Sequence, residues 1–372
     1  KLTIMHIDAD NKRFQDFIEE TEKKLDMEIT VEKCPSNADN RQAKISTILA
    51  SGDKNIDLIS VNDEMISEFK HKGYLEPLEK NVMTEEVRDS FPQKYLESIC
   101  EENGHIYSVP FQMDIMMFWV NQELLKQAGL DEIKNTGDFD ILQKSLKNPD
   151  QYAYGDAWEN THVYNSLSQF VNFWGGDYFD WTDPKTKDAA RYMKSMLDEK
   201  NTSPAQFVDQ YEQMEEKFIR GKYGCVFMYT SALGTFLDAD VYGKNKIHMA
   251  PLPVLHKKKA TNIATWQYVL NNASENKDAA VRFLQYAAGY EGSTEYAKIM
   301  KSYPARVDVI ENEDIDLEGI DMIRKYLREY TLNARPLCEN SMGAVSDMGK
   351  LFQGYVLGQC EEDSFFEQAQ NC

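Results

Sequence analysis

The chain has 372 residues, with 62 Asp and Glu against 41 Lys and Arg, a formal net charge of -21 and 42% hydrophobic residues. About twice the length of an ordinary domain, it predicts two domains with real apolar cores. Acidity spread along the whole length opposes binding to nucleic-acid phosphates or anionic lipid, and no apolar run approaches the roughly 20 residues of a membrane-spanning helix.

In chain order, "KLTIMHI" at 1–7 reads as a strand, followed by a helix whose face carries Phe14, Phe17, Ile18 and Leu25 and by a second strand, "MEITVEK" at 27–33. Ile45, Ile48 and Leu49 mark another helix, and "IDLISV" at 56–61 is the continuous apolar run of a buried parallel strand. This β-α-β-α-β order predicts a doubly wound α/β domain, in which ligands bind at the carboxyl ends of the strands. Asp8 and Asp10 after the first strand, and Asn62 and Asp63 after the third, are therefore candidate ligand contacts. Each also fits a helix cap, Asp63 before "EMISEFKHKG" above all.

"GHIYSVPFQMDIMMFWVN" at 104–121 threads one carboxylate, Asp114, through methionines and aromatics. Burying a lone carboxylate costs several kcal/mol unless it is paired, so a cleft, a hinge or a partner must account for it. "NQELLKQAGL" follows as a helix stopped by Gly129, then a helix near "DFDILQKSL". In "DWTDPKTKDAARYMKSMLDEK" Asp183 caps a helix with Pro184 in its first turn. "EEKFIRGKYGCVFMYTS" reads helix, glycine turn, strand; "KIHMAPLPVL" is a strand cut by Pro251 and Pro253; "ATWQYVLN" is another strand, "DAAVRFLQYAAG" a helix, and the C-terminal third helical. No repeat and no low-complexity linker divides the chain, so it is expected to cross between its domains more than once.

No nucleophile elbow, phosphate-binding loop or dinucleotide fingerprint appears, and the six histidines have no metal spacing. The acids at 314–319 mimic the start of a calcium loop, but Lys325 stands where the bidentate acid belongs. No cofactor or metal is expected. The six cysteines form no C-x-x-C; Cys360 and Cys372 are the first pair to test for a disulfide. Aromatics make up 12% of residues and lie beside short polar side chains in "DAWENTHVYN", "NFWGGDYFDW", "FMYTS" and "ATWQY". A ring beside carboxylates and amides suits a sugar, which offers a C–H face to stack and hydroxyls to hydrogen-bond. Core packing is the expectation for Phe170, Phe173 and Phe227, and ligand contact for Trp158, Trp174 and Trp266.

The ordered set "ILASGDKNIDLISVND", "HKGYLEPL", "NGHIYSVPFQMDIMMFWVNQELLKQAGL", "WGGDYF", "FIRGKYGCVFMYTS", "MAPLPV" and "YPARVD" resembles the extracellular solute-binding proteins of ABC importers, the branch that includes maltose-binding protein. The resemblance implies an α/β, two-lobed periplasmic-binding-protein-like fold: each lobe a sheet flanked by helices, with hinge crossings and a helical C-terminal segment. Residues 1–110 with 267–308 would form one lobe, and 111–266 with 309–372 the other. It places Asp114 at a polar cleft position, and similar roles on Asp8, Asp10, Asn62, Asp63, Asn160, His162, Trp174, Gly175, Gly176, Tyr229, Thr230 and Trp266, with Arg306 and Arg335 added from looser patterns. It further implies capture of a carbohydrate by closure without chemistry, delivery to the importer's permease, a monomer, and an extracellular or periplasmic site with a lipid anchor upstream of Lys1. The chain departs from the maltose binder at several of these positions, so the sugar is not carried over. One rival is a polyamine or cationic-peptide binder of the same fold, with Asp8, Asp10, Asp63, Asp114 and Asp177 around an ammonium. The other is a glycoside hydrolase using two carboxylates not singled out by spacing.

Overall fold

The structure, a computed structural model, describes residues 1–372. Its strands are β1 (Leu2–His6), β2 (Ile29–Lys33), β3 (Leu58–Asn62), β4 (Glu101–Glu102), β5 (His105–Ile106), β6 (Val109–Asn121), β7 (Tyr152–Gly155), β8 (Tyr223–Tyr229), β9 (Ile247–Ala250), β10 (Ala260–Leu270) and β11 (Thr331–Ala334). Helices connect them, and the fold is mixed α/β. The chain divides into two compact units: unit 1 holds Lys1–Met113, Ala264–Ile320 and Leu337–Ser341, and unit 2 holds Asp114–Ile263, Asp321–Pro336 and Met342–Cys372. Residues 111–113, 264–266, 309–320 and 337–341, placed with the second lobe from sequence, lie in unit 1.

In unit 1 the strand order is β2-β1-β3-β10. β1 runs parallel to β2 and β3, with Ile4 opposite Val31 on one side and Leu58 on the other. Such a central strand is covered on both faces, and Leu2, Ile4 and Met5 are buried. Helix α1 (Lys12–Leu25) starts where the Asn11 side chain accepts the Arg13 N–H, and buries Phe14, Phe17 and Ile18. Helix α2 (Ala38–Ser51) buries Ile45, Ile48 and Leu49 and stops at Gly52, whose φ of 67° lies in the left-handed region glycine tolerates. Helix α3 (Asp63–Phe69) corrects one expectation. Its cap is Asn62, not Asp63: the Asn62 side chain accepts the Met65 N–H at 3.0 Å, and Asp63 is the first helical residue, fully buried. β10 closes this sheet antiparallel to β3, with Trp266 opposite Asn62.

Unit 2 is built on β6, which pairs antiparallel with β8 (Met116 opposite Tyr229) and with β9 (Phe118 opposite Ala250). β7 runs parallel to β8, and β11 parallel to the first residues of β10. The buried Tyr326 hydroxyl stitches two strands together: it accepts the Phe118 N–H at 2.9 Å and donates to the Ala250 carbonyl at 2.6 Å. Phe170, Phe173 and Phe227 pack on one another in the core as expected, with ring centroids 5.5 to 6.4 Å apart. The Pro184–Asp198 helix is capped by Asp183, whose side chain accepts the Lys185 N–H. No helix is long and apolar enough to cross a membrane. No group of three or more His, Cys, Asp or Glu is placed to hold a metal.

Candidate functional site

β7 and β8 are parallel, so their carboxyl ends emerge on the same edge of the unit 2 sheet. β6 runs the other way, and because Met116 faces Tyr229, Asp114 falls just past the end of β8, beside Thr230. Thr230 Oγ1 donates to Asp114 Oδ1 at 3.0 Å, while the Thr230 N–H donates to the Ile115 carbonyl at 3.0 Å. That pairing answers the sequence misfit: a half-buried carboxylate in an apolar strand is hydrogen-bonded by a hydroxyl donor brought from a distant segment. Next to it, the Tyr211 hydroxyl donates to the Tyr229 carbonyl at 3.2 Å. Burial, and then the Asp114 charge, push the Tyr211 phenol well above its usual value, so it is a protonated donor.

The array continues through side chains of the segment after β7. Tyr229 Oη donates to Asn165 Oδ1 at 3.0 Å, and Asn165 Nδ2 donates to the His162 carbonyl at 3.2 Å. His162 Nδ1 lies 3.4 Å from Glu159 Oε2, which also accepts the Thr161 N–H at 3.0 Å. Burial raises the Glu159 carboxyl, but its hydrogen bonds from Thr161 and His162 prevail and hold it below its usual value. Arg335 Nη1 donates to the Tyr164 hydroxyl at 2.7 Å in the same neighbourhood. Asp114, Thr230, Tyr229, Asn160, His162 and Arg335 thus sit along one edge of unit 2. Glu159, Thr161, Asn165 and Tyr211 join them unforeseen. The first three lie in or beside a segment already flagged for its polar and aromatic mix, whereas nothing local distinguishes Tyr211.

In unit 1 the same strand-end logic gathers Asp8, Asp10, Asn62 and Trp266. The Trp266 ring is half-buried and carries the Arg41 guanidinium over one face at 5.3 Å from its centroid. Arg41 is itself buried, its Nη1 donating to the Pro35 and Ser36 carbonyls. Asp10 is exposed and ion-paired with Lys33, while burial raises the Asp8 carboxyl.

Other candidates take structural places. Trp158 is fully buried, packed edge-on against Phe207 and Phe352 at 5.6 and 5.4 Å. Trp174 is 7% exposed, stacked on His256 at 5.0 Å and packed on Tyr192. Gly175, with φ of 74°, ends the Val163–Trp174 helix, and Gly176 sits where a Cβ would strike Thr186. Asp177 uses its carbonyl and N–H on Thr186 and its carboxylate on the Phe179 N–H. Arg306 is engaged by Asp308, the Ala288 carbonyl and Ser90. Asp63 is closed from solvent.

The sequence model of a family described as "bacterial extracellular solute-binding protein" matches residues 8–294. A Sinorhizobium fredii protein described as a "probable amino-acid ABC transporter periplasmic-binding protein" is 24% identical over 239 residues, which is 61% of this chain and 54% of that protein. The chain spans about half the length of the curated relatives it matches. Among solved structures, the sugar-binding protein MalE of Xanthomonas citri superposes with a TM-score of 0.84 at 16% identity, over 100% of this chain and 95% of that one. A solute-binding protein of Thermotoga lettingae bound with alpha-D-tagatose gives 0.80 at 19% identity, over 100% and 97%. The acarbose-binding GacH receptor of Streptomyces glaucescens gives 0.78 at 18%, over 100% and 96%. At these identities the likeness shows the fold.

Proposed function

We propose a function from one premise: the chain belongs to the bacterial extracellular solute-binding proteins. In this reading it captures a carbohydrate, leaves it chemically unchanged and hands it to the permease of an ABC importer outside the cytoplasm. The observation that carries the choice of ligand is the hydrogen-bonded edge of unit 2, where Asp114, Thr230, Tyr229, Asn165, His162 and Glu159 alternate donors and acceptors. Such an edge complements a polyhydroxyl surface, since each sugar hydroxyl both donates and accepts. Trp266 in unit 1, backed by Arg41, supplies the flat apolar face that a pyranose stacks on. Sugars in the similar tagatose- and acarbose-bound structures support the same class. The proposed contacts are therefore Asp8, Asp10, Asn62, Asp114, Asn160, His162, Tyr229, Thr230, Trp266 and Arg335, with Glu159, Thr161, Asn165 and Tyr211 added.

The polyamine reading draws less support. Asp10 already has a lysine partner, which weakens it as an ammonium ligand.

Thermal unfolding against two matched panels tests the choice, one of mono- and oligosaccharides and one of polyamines and basic peptides. A ligand at about 100 times its dissociation constant adds about 2.7 kcal/mol to the native state, a rise of several degrees. Stabilisation by sugars alone, with no reducing sugar released over hours, is the expected result. A response to polycations alone overturns it.

A further inference from the structure

The loop 157–162, which presents Glu159, Thr161 and His162, is held from two sides within unit 2. On one side it pairs with backbone: the Trp158 N–H donates to the Gln206 carbonyl at 2.9 Å, and the Glu159 N–H to the Asp209 carbonyl at 3.1 Å. On the other lies the helix Ser341–Val356, whose Gln353 stands 195 residues beyond Trp158. Gln353 Nε2 donates to the Trp158 carbonyl at 2.7 Å and to the Phe207 carbonyl at 3.3 Å, so one amide ties the loop to the segment that brackets it.

One turn before Gln353, on the same helix face, stands Gly349. A Cβ built there would lie 1.8 Å from the Asn160 carbonyl oxygen and 2.6 Å from its carbonyl carbon and Cα. Those are backbone atoms, with no flexible end to swing aside, so any larger residue moves the loop or the helix. Gly354 of the same helix has nothing within 4 Å of its would-be Cβ, so an alanine there meets no neighbour and serves as the control.

We propose that Gly349 and Gln353 are positioning residues for ligand capture: they set the height of loop 157–162, and so where Glu159, Thr161 and His162 meet a sugar, without touching it. This rests on the carbohydrate reading above. An alanine in a helix interior ordinarily stabilises relative to glycine, which makes the pair of substitutions diagnostic.

The test compares Gly349→Ala with Gly354→Ala, and Gln353→Ala as a second route should Gly349→Ala fail to fold. Titration calorimetry uses maltose, D-tagatose, D-mannitol and acarbose, and NMR follows the His162 ring resonances without ligand. Gly349→Ala and Gln353→Ala are expected to weaken binding of whichever probe the native protein takes by tenfold or more and to shift the His162 resonances, whereas Gly354→Ala changes neither. A folded Gly349→Ala protein with native affinity and unmoved His162 resonances overturns the proposal, as does a variant that only loses thermal stability. If the native protein binds none of the four sugars, these probes withdraw support from the carbohydrate reading, and the His162 resonances alone decide whether Gly349 positions the loop.

Discussion

His6 ends β1 with a fully buried imidazole stacked on Phe14 at a centroid distance of 3.8 Å. Its Nδ1 accepts the Asp8 N–H at 3.0 Å, which leaves the proton on Nε2, 3.4 Å from the Tyr268 hydroxyl. Burial pushes this imidazole down from 6.5 to about 3. Between those values the unfolded chain carries a proton that the native one lacks, so stability is full at neutral pH and falls as pH drops through the window, by about 1.4 kcal/mol per pH unit. His6→Asn keeps an acceptor for the Asp8 N–H and cannot titrate. Its urea midpoint is expected to be lower at pH 7, through lost stacking, and to depend less on pH between about 6 and 4; an unchanged slope would place the acid sensitivity elsewhere. At this scale the sequence was readable where a residue contradicted its neighbours. Asp114 could not stand unpaired in an apolar strand, and its donor Thr230 lies 116 residues away. Trp158 shows the opposite case: it too sits beside short polar residues, but Phe207 and Phe352 cover it, and nothing in its own segment announces them.

Asn62 belongs to the scale of the element, because it closes β3 and caps α3 at once. With a helix of only seven residues, one cap satisfies a large share of the free N–H groups at its start. Asn62→Ala is expected to lower stability by about 1 kcal/mol and Asn62→Ser to restore most of it, as read from urea midpoints. Sugar affinity lost in both variants would separate the binding role from the cap. Elements with strong periodicity were legible: β1 to β3, α1 and α2 follow from the apolar pattern, and Asp183-Pro184 marks a helix start. The two-residue strands β4 and β5 and the four-residue β11 were not. They are too short to show alternation, and β11 exists because the first residues of β10 offer it an edge.

Across the whole molecule the six cysteines are unbridged, with Cys34, Cys100 and Cys225 buried and Cys372 exposed. Burial pushes the Cys34 thiol up to about 11 and Cys100 up to about 12, which withholds the reactive thiolate. Maleimide at neutral pH is expected to modify Cys372 first and those three only after denaturation, with intact mass counting the adducts; early labelling of Cys225 would contradict this packing. The two-unit organisation was legible from length and from the resemblance, but the segment boundaries depend on which strands share a sheet, information held in contacts across the chain. Those segments also bear on synthesis. β3 lies between β1 and β10, and Trp266 to Leu270 supply the partners for Asn62 back to Leu58. A growing chain therefore carries the first three strands of unit 1 with one edge unpaired until residue 270 has left the ribosome, and unit 2 in turn awaits Met342–Cys372. Neither body is complete before its last segment has been made, Leu337–Ser341 for unit 1 and Met342–Cys372 for unit 2, which leaves both open until then to whatever factor binds extended chain first.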